Sequence, residues 1–342
     1  MKLSDLYWYR ITPLHFLLWP ISVLYGFFLT LKKLCYWLDI LPSVKLPVTV
    51  IMIDSISVED GNKTPLLLWL VDCLTTQGYR PGIITRDSSD SSGLPREITS
   101  GSDPHSVDGK TFLLAYHCRA SCPVWVGNDR IATAHALLSA HPECNIIICS
   151  GGMQYYRLER DVEIIMADFS EHSFGNGLLV PAGPLRINLN QLEKSDILVT
   201  NEKPDYHRGL SKWGKTYTMQ LTNETAYNVL KLDIQQSISD FKNEQLHIVT
   251  DTDNSHWCFD LIQNKALNAQ LHTYAENHRF SQHEINLAEA DAILMPEENA
   301  LQCRKFANDK LWALPRKAWI DSELLEVLIK KLENKRHQDK TI

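Results

Sequence analysis

The sequence has no excess of basic charge: 34 Lys and Arg stand against 41 Asp and Glu, for a net charge of −7 and a pI near 6.0. A surface that binds nucleic acid is basic, so that class of partner is excluded. No second cysteine pair answers Cys118 and Cys122, so zinc-site spacing is missing. The other cysteines (Cys35, Cys73, Cys144, Cys149, Cys258 and Cys303) are scattered, mostly in apolar stretches, which reads as reduced, buried thiols in a cytosolic compartment. There is no internal repeat. No small-residue cleavage site follows the apolar N-terminal stretch, so a removed signal peptide is not expected. What remains is an ordinary globular mix over 342 residues, 44% hydrophobic and 22% charged, enough for one large domain or two ordinary ones.

The N-terminus differs in kind. Residues 7 to 41 are apolar and aromatic, with an uncharged run from Ile11 to Leu31. A clean span needs about 20 apolar residues, and here Pro13, Pro20 and Gly26 interrupt the run. Trp8, Trp19, Tyr25 and Trp37 are of the type that settles at lipid headgroups, and Lys32 and Lys33 suit anionic lipid. The favoured expectation is a set of interfacial membrane helices. A true span and a helix packed only on its own protein remain open.

From Leu46 the pattern becomes α/β. Short apolar runs at Val48–Ile53, Arg80–Thr85, Asn145–Cys149 and Val162–Ala167 alternate with helical segments, which predicts a mostly parallel sheet covered on both faces. Residues 87–106, rich in Ser, Asp, Gly and Pro, predict a mobile loop. Expected units are a membrane-associated segment over 1–45, an α/β domain over 46–205 and a smaller α/β domain over 206–342. The last has strands near Leu246–Thr250 and Ala292–Met295, and a charged terminal helix over 321–337. Ligands of such sheets bind at the carboxyl ends of the strands.

The segment Ser57, Val58, Glu59, Asp60, Gly61, Asn62, Lys63, Thr64 joins the first strand to a helix carrying Pro65 in its first turn. That is where a phosphate loop sits. Its amides and the helix N-terminus cradle phosphate, its Lys reaches the outer phosphates, and its Ser/Thr holds Mg²⁺. Lys63 and Thr64 are present, Asn62 replaces the usual glycine, and Glu59 and Asp60 bring negative charge into the loop. An ordinary strand–loop–helix turn is the alternative reading of these residues.

Beyond the loop stand the run Phe174–Arg186 (FGNGLLVPAGPLR), the run Met153–Ile165, Lys63-Thr64-Pro65 and Asn128-Asp129-Arg130. Together they resemble the tetraacyldisaccharide 4′-kinase family of lipid A biosynthesis, over nearly the whole chain. The resemblance implies a P-loop NTPase-like α/β fold with a smaller C-terminal domain, ATP and Mg²⁺ as cofactors, and a lipid A precursor as partner. It also implies a place on the cytoplasmic face of the bacterial inner membrane. The reaction implied is transfer of the γ-phosphate of ATP to the 4′-hydroxyl of a tetraacyldisaccharide 1-phosphate, giving lipid IVA. No protein partner is indicated.

The chain departs from that family's pattern at chemical positions. The family's GGxGKT is Glu59 to Thr64 here, and its SRGYGG becomes Thr85-Arg86-Asp87-Ser88-Ser89-Asp90. Its GDEP aligns with Asp108-Gly109-Lys110-Thr111, so Gly109 takes the place of a catalytic aspartate. Its DDGxQH aligns with Ser150-Gly151-Gly152-Met153-Gln154-Tyr155, so both metal-side carboxylates are missing. Its PDHH aligns with Ala275-Glu276-Asn277-His278, and its TEKDAVK with Pro296 to Gln302, where Lys and Asp become Glu298 and Asn299. The main expectation is therefore a degenerate, pseudokinase-like member in which ATP and Mg²⁺ binding is in doubt. The alternative is an active, divergent 4′-kinase using Asp54, Asp60, Asp87, Asp90 or Asp108 as substitute ligands, and a decaying scaffold is a third. Candidate site residues are Ser57 through Thr64 for the nucleotide, Thr64 for the metal, and Arg86, Arg186 and His278 for substrate. Arg86 reads equally as a surface residue and His278 as structural. Gly175 and Gly177 are expected in a turn, and Tyr155 and Tyr156 as core.

Overall fold

The computed structural model describes Trp8 and residues 12–58, 62–86, 93–118, 121–167, 174–201, 216–222, 224–252, 254–276 and 278–339. Glu59, Asp60, Gly61, Asp87, Asp90 and Asn277 lie outside the described residues, as does the expected domain boundary at 205.

Helix α1 (His15–Trp37) is continuous, with Pro20 inside it. The sequence expectation of a run divided by prolines is corrected here. Pro20 is the sixth helical residue; lacking an N–H it leaves out one bond, to the Phe16 carbonyl, and the helix continues past it. At 23 residues the helix is long and apolar enough to cross a membrane by length and composition. One face docks on the protein. The Ser22 hydroxyl donates to the Leu179 carbonyl at 2.8 Å and accepts from the Ala182 amide at 2.9 Å. His15 Nε2 meets Asn176 Nδ2 at 2.8 Å. Gly26 makes close approach possible, since a Cβ there would stand 2.9 Å from Leu179 Cδ1. The opposite face leaves Phe16, Leu17, Trp19, Phe27, Phe28 and Trp37 exposed. So large an apolar face is unfavourable in water and marks an interaction surface.

Two sheets follow. The first contains β1 (Thr49–Ser55), β2 (Pro81–Thr85), β3 (Arg96–Ile98), β4 (Val124–Val126), β5 (Ile146–Ser150), β6 (Val162–Ala167), β7 (Ile197–Thr200), β8 (Thr216–Thr222) and β15 (Lys317–Ile320). Their order is β15-β8-β7-β6-β1-β5-β2-β4-β3. All pairings are parallel except β3 with β4 and β15 with β8 at the two edges. The central strands are continuous apolar runs because both faces are covered. The covering helices include α2 (Lys63–Thr76), α3 (Gly109–Cys118) and α4 (Arg130–Ala140). Leu66, Leu67, Leu70 and Leu74 of α2 pack with Ile51, Ile53 and Ile148 of the sheet. The loop expected over 87–106 contains β3 and a short helical turn, Pro104–Ser106. The Arg96 guanidinium binds the Ser106 carbonyl at 2.8 Å, and pairing to β4 overrides the weak local propensity.

The second sheet has the order β10-β9-β14-β13-β11-β12, with β9 (Thr225–Asn228), β10 (Gln235–Ser237), β11 (Leu246–Asp251), β12 (Ala269–Tyr274), β13 (Ala292–Pro296) and β14 (Leu311–Leu314). Helices α5 (Ser255–Lys265) and α6 (Glu297–Gln302) belong to it, while α7 (Ser322–Asp339) returns to the first sheet and buries Leu324, Leu328 and Leu332 in that core. Within 206–342, then, β8, β15 and α7 are built onto the first sheet. All eight cysteines are free, six of them buried. Burial pushes the Cys258 and Cys303 thiols up to about 12, which makes them unreactive packing groups.

The docking of α1 generates a prediction. Ser22→Ala keeps the helix but orphans the Leu179 carbonyl and the Ala182 amide. We expect a loss of about 1–3 kcal/mol, read as a lower midpoint of thermal unfolding in detergent, with Ser22→Thr near wild type.

Candidate active site at the carboxyl end of the first strand

The site begins with Asp54, the penultimate residue of β1. Strand β1 lies between β5 and β6, in the middle of the first sheet. Its carboxyl end is open because the chain leaves β1 for α2 and leaves β5 for a tight turn. Asp54 is buried. A buried carboxylate must be paired and hydrogen-bonded or it protonates. Its Oδ2 accepts from the Gly152 amide at 2.7 Å and the Met153 amide at 2.9 Å, and its Oδ1 from the Ser55 amide at 2.8 Å. Two cations meet the same Oδ1, Lys63 Nζ at 3.5 Å and Arg186 Nη1 at 3.4 Å. Burial alone would raise the carboxyl pKa. Lys63, the Met153 amide, Arg186 and the Ser55 amide outweigh it and hold the pKa below the usual aspartate value.

Each neighbour is positioned by the local fold. Lys63 and Thr64 open α2, whose N-terminus points at the site. Asn62, before them, is in the left-handed conformation at φ 54°, a region Asn tolerates better than most residues. Gly151 and Gly152, at φ 73° and 103°, turn the chain off β5 and aim the Gly152 and Met153 amides at Asp54. The Arg186 amide donates to the Ile56 carbonyl at 2.8 Å, and its Nη2 to the Val58 carbonyl at 3.2 Å. The loop strand thus runs beside Pro184–Arg186, with Ser57 bridged to Leu185 and the Val58 amide bonded to the Pro184 carbonyl. Gln154 fastens this assembly to α1: its amide donates to the Arg186 carbonyl at 2.7 Å and to the Tyr25 hydroxyl at 2.8 Å.

Of the residues singled out in the sequence, the structure gathers Ser57, Val58, Asn62, Lys63, Thr64 and Arg186 at this strand end. Arg86 is exposed just past the end of β2. His278 lies beyond β12, stacked on Tyr274 at 4.7 Å, edge-on to Phe280 and bonded to Glu284 at 2.8 Å. Gly175 and Gly177 take positive φ in the turn that carries Asn176 to His15. Tyr155 is half-buried, with its hydroxyl on Asp129 at 3.0 Å and its ring facing Arg130 at 5.7 Å. Tyr156 faces Tyr36 of α1. Asp129 caps α4 by accepting from the Ile131 and Ala132 amides, which accounts for Asn128-Asp129-Arg130 as a helix start.

The positions of the missing carboxylates now have geometric reasons. Asp108 serves as a helix cap. Its two oxygens cap α3 through the Thr111 amide at 3.0 Å and the Thr111 hydroxyl at 2.7 Å. Gly109 faces α6 so closely that a Cβ would stand 3.3 Å from the Glu298 carbonyl and 2.7 Å from Gln302 Nε2. At Gly151, a Cβ would lie 3.9 Å from both Asp54 Oδ2 and Lys63 Nζ. The space beside β5 that a carboxylate at 151 would enter is therefore the space Asp54 fills from β1. Asp54 was one of five candidate substitutes in the sequence. Its pairing with Arg186 was not readable there, because it depends on the long-range contact of residues 56–58 with Pro184–Arg186. Arg316, which bonds Asn62 Oδ1 at 3.0 Å from the second sheet's side, carried no signal in the sequence at all.

A strand–loop–helix phosphate site at the carboxyl edge of a central parallel strand, with Lys, Thr and Arg around a buried aspartate, defines the P-loop NTPase-like class. The comparisons are narrower. The profile of Tetraacyldisaccharide-1-P 4′-kinase matches residues 14–333. The chain is 37% identical over 338 residues to the Tetraacyldisaccharide 4′-kinase of Nitrosomonas eutropha, covering 98% of this chain and 85% of that one. It is 34% identical over 325 residues to the protein of that name from Methylobacillus flagellatus, covering 95% and 94%. The crystal structure of the "apo" form of LpxK from Aquifex aeolicus in complex with ATP superposes with a TM-score of 0.73 at 19% identity, over 92% of this chain and 97% of that one. The chain belongs to the tetraacyldisaccharide 4′-kinase family.

Asp54→Asn is the direct test of the cluster. It preserves shape but leaves Lys63, whose side chain is 10% exposed, facing a neutral amide. Breaking a buried pair from one side costs about 3–5 kcal/mol, and we expect a loss of that order in unfolding without nucleotide. The folded-state pKa of Asp54 is lowered, so its stabilisation is present above the ordinary aspartate value and lost as pH falls through the folded value. The gap between wild type and variant should hold from neutrality to about pH 4 and close only below it.

Proposed function

We propose that this protein is an active lipid kinase, transferring the γ-phosphate of ATP to the 4′-hydroxyl of a tetraacyldisaccharide 1-phosphate. The observation that carries this reading is the convergence of Lys63 and Arg186 on one buried carboxylate at the N-terminus of α2, within a chain whose relatives bear that enzyme's name along almost their whole length. Phosphoryl transfer needs positioning and positive charge around the transferred group more than covalent chemistry. Lys63 and Arg186 supply that charge. Their contacts to Asp54 are the two longest of its five, and they are the bonds that incoming phosphates would draw away.

The donor set also fits magnesium. Among the described residues no three His, Cys, Asp or Glu gather to hold a metal unaided. Mg²⁺ in kinases is held by one or two carboxylates together with substrate phosphates. Thr64 and Asp54 are the residues that would hold it, and its contribution is to neutralise charge on the phosphates. The exposed apolar face of α1, followed on the same helix by Lys32 and Lys33, supports placement against a bilayer. The enzyme would meet its lipid there, on the cytoplasmic face of the inner membrane.

A second reading, nucleotide binding with impaired turnover, is favoured by Gly109, Ser150 and Gly151, which carry no carboxylate where the family resemblance places one. Calorimetry with Mg-ATP on the detergent-purified protein, followed by a turnover assay with tetraacyldisaccharide 1-phosphate, separates the two. We expect micromolar to millimolar ATP affinity, abolished in Lys63→Ala, and product formation that falls by about 100-fold or more in Arg186→Ala. Binding without product selects the impaired form. No binding by the folded protein at millimolar ATP would sink both.

A further inference from the structure

The chain returns from the second sheet to the first through two residues, Pro315 and Arg316, between β14 and β15. Arg316 is almost enclosed, its side chain 13% exposed. Its guanidinium lies 4.8 Å from the centre of the Trp257 ring. Nη2 donates to Glu298 Oε1 at 2.8 Å and to Asn254 Oδ1 at 2.7 Å, and Nη1 to Asn62 Oδ1 at 3.0 Å. Three of these four partners sit on or beside α5 and α6 of the second sheet. The fourth is the residue immediately before Lys63. Asn62 holds the left-handed conformation and makes no side-chain cap to its own helix. Its amide oxygen is turned to Arg316 instead.

We propose that Arg316 is a positioning residue of the phosphate site: it clamps Asn62 in the left-handed conformation and so ties the presentation of Lys63 and Thr64 to the seating of the second sheet on the first. The inference rests on the reading of this loop as a nucleotide phosphate site. A planar guanidinium suits the task. Its fork reaches acceptors in two directions at once, which a lysine ammonium does with less definition. Glu298 neutralises the buried charge, and Trp257 covers its face. Glycine takes φ 54° at no steric cost, whereas asparagine visits it at a smaller cost than other residues, and the bond to Arg316 offsets that cost. A small cavity at this contact is lined by Thr64, Pro65, Leu68, Leu113, Glu298 and Arg316.

The test uses the full chain in detergent and two measurements. Without nucleotide, hydrogen exchange across residues 62–70 should quicken about tenfold in Arg316→Ala while β11 is unchanged. With nucleotide, Arg316→Ala should raise the KM for ATP about tenfold. In an Asn62→Gly background the same change should alter it less than twofold, because glycine removes the need for the clamp. Asn62→Ala removes the acceptor but leaves Arg316 its other partners, and should reproduce both effects even where Arg316→Ala fails to fold. Unchanged exchange in both folded variants overturns the clamp. So does an Arg316→Ala loss of ATP affinity that is equal in the two backgrounds, since that assigns the arginine to the phosphates themselves. Faster exchange in a protein that binds no ATP sustains the clamp and removes the nucleotide reading instead.

Discussion

A single buried carboxylate organises the middle of this molecule. Asp54 stands at the end of a strand with no water to solvate it, so the chain must bring donors to it. Three backbone amides and two cations answer, and they come from four parts of the sequence: the strand itself, the turn after β5, which gives two amides, the first turn of α2 and the end of the Phe174–Arg186 segment. None of these segments can shift without uncovering the charge. The start of α2 is thus held on one side by a group that belongs to the sheet and on the other by the contact of Arg316 with Asn62.

The same economy joins the site to the apolar helix α1. The segment from Phe174 to Arg186 has helix α1 on one side and the loop strand Ile56–Val58 on the other. Ser22 and His15 bind its first half, at Leu179, Ala182 and Asn176. Ile56 and Val58 bind its second half, at Arg186 and Pro184. Gln154 spans both, reaching Tyr25 and Arg186 with one amide group. The apolar face that would meet lipid is therefore two hydrogen-bonded layers from Lys63.

Much of the fold was legible in the sequence. Buried parallel strands are continuous apolar runs, so Val162–Ala167 and Ala292–Met295 declared themselves by composition, and Pro65 just inside a helix start marked α2. What was not legible depended on register or on long-range contact. The run around Pro20 looked broken because local rules do not say whether a helix continues past a proline. Residues 96–98 looked like loop because edge pairing supplies what their propensity lacks. The site divides the same way. Lys63 and Thr64 follow from spacing, but the partnership of Asp54 with Arg186 joins residues 132 positions apart, and Arg316 is 254 positions from Asn62.

That division explains why comparing positions one by one overstated the losses. Read along the chain, Ser150 and Gly151 are vacancies where the resembled family has carboxylates, and Glu298 is a reversal where it has lysine. In space, a carboxylate stands beside Gly151 on the neighbouring strand, and a guanidinium stands on Glu298 from the neighbouring connection. Electrostatic interaction depends on where a charge is and how it is screened, not on which strand bears it. A sheet places residues from adjacent strands about 5 Å apart, so a charge can move one strand sideways and serve nearly the same point. The impaired reading took each substitution as a subtraction. The structure sets a charged group beside two of them, Asp54 beside Gly151 and Arg316 on Glu298, and at Gly109 it shows a close contact with α6 instead.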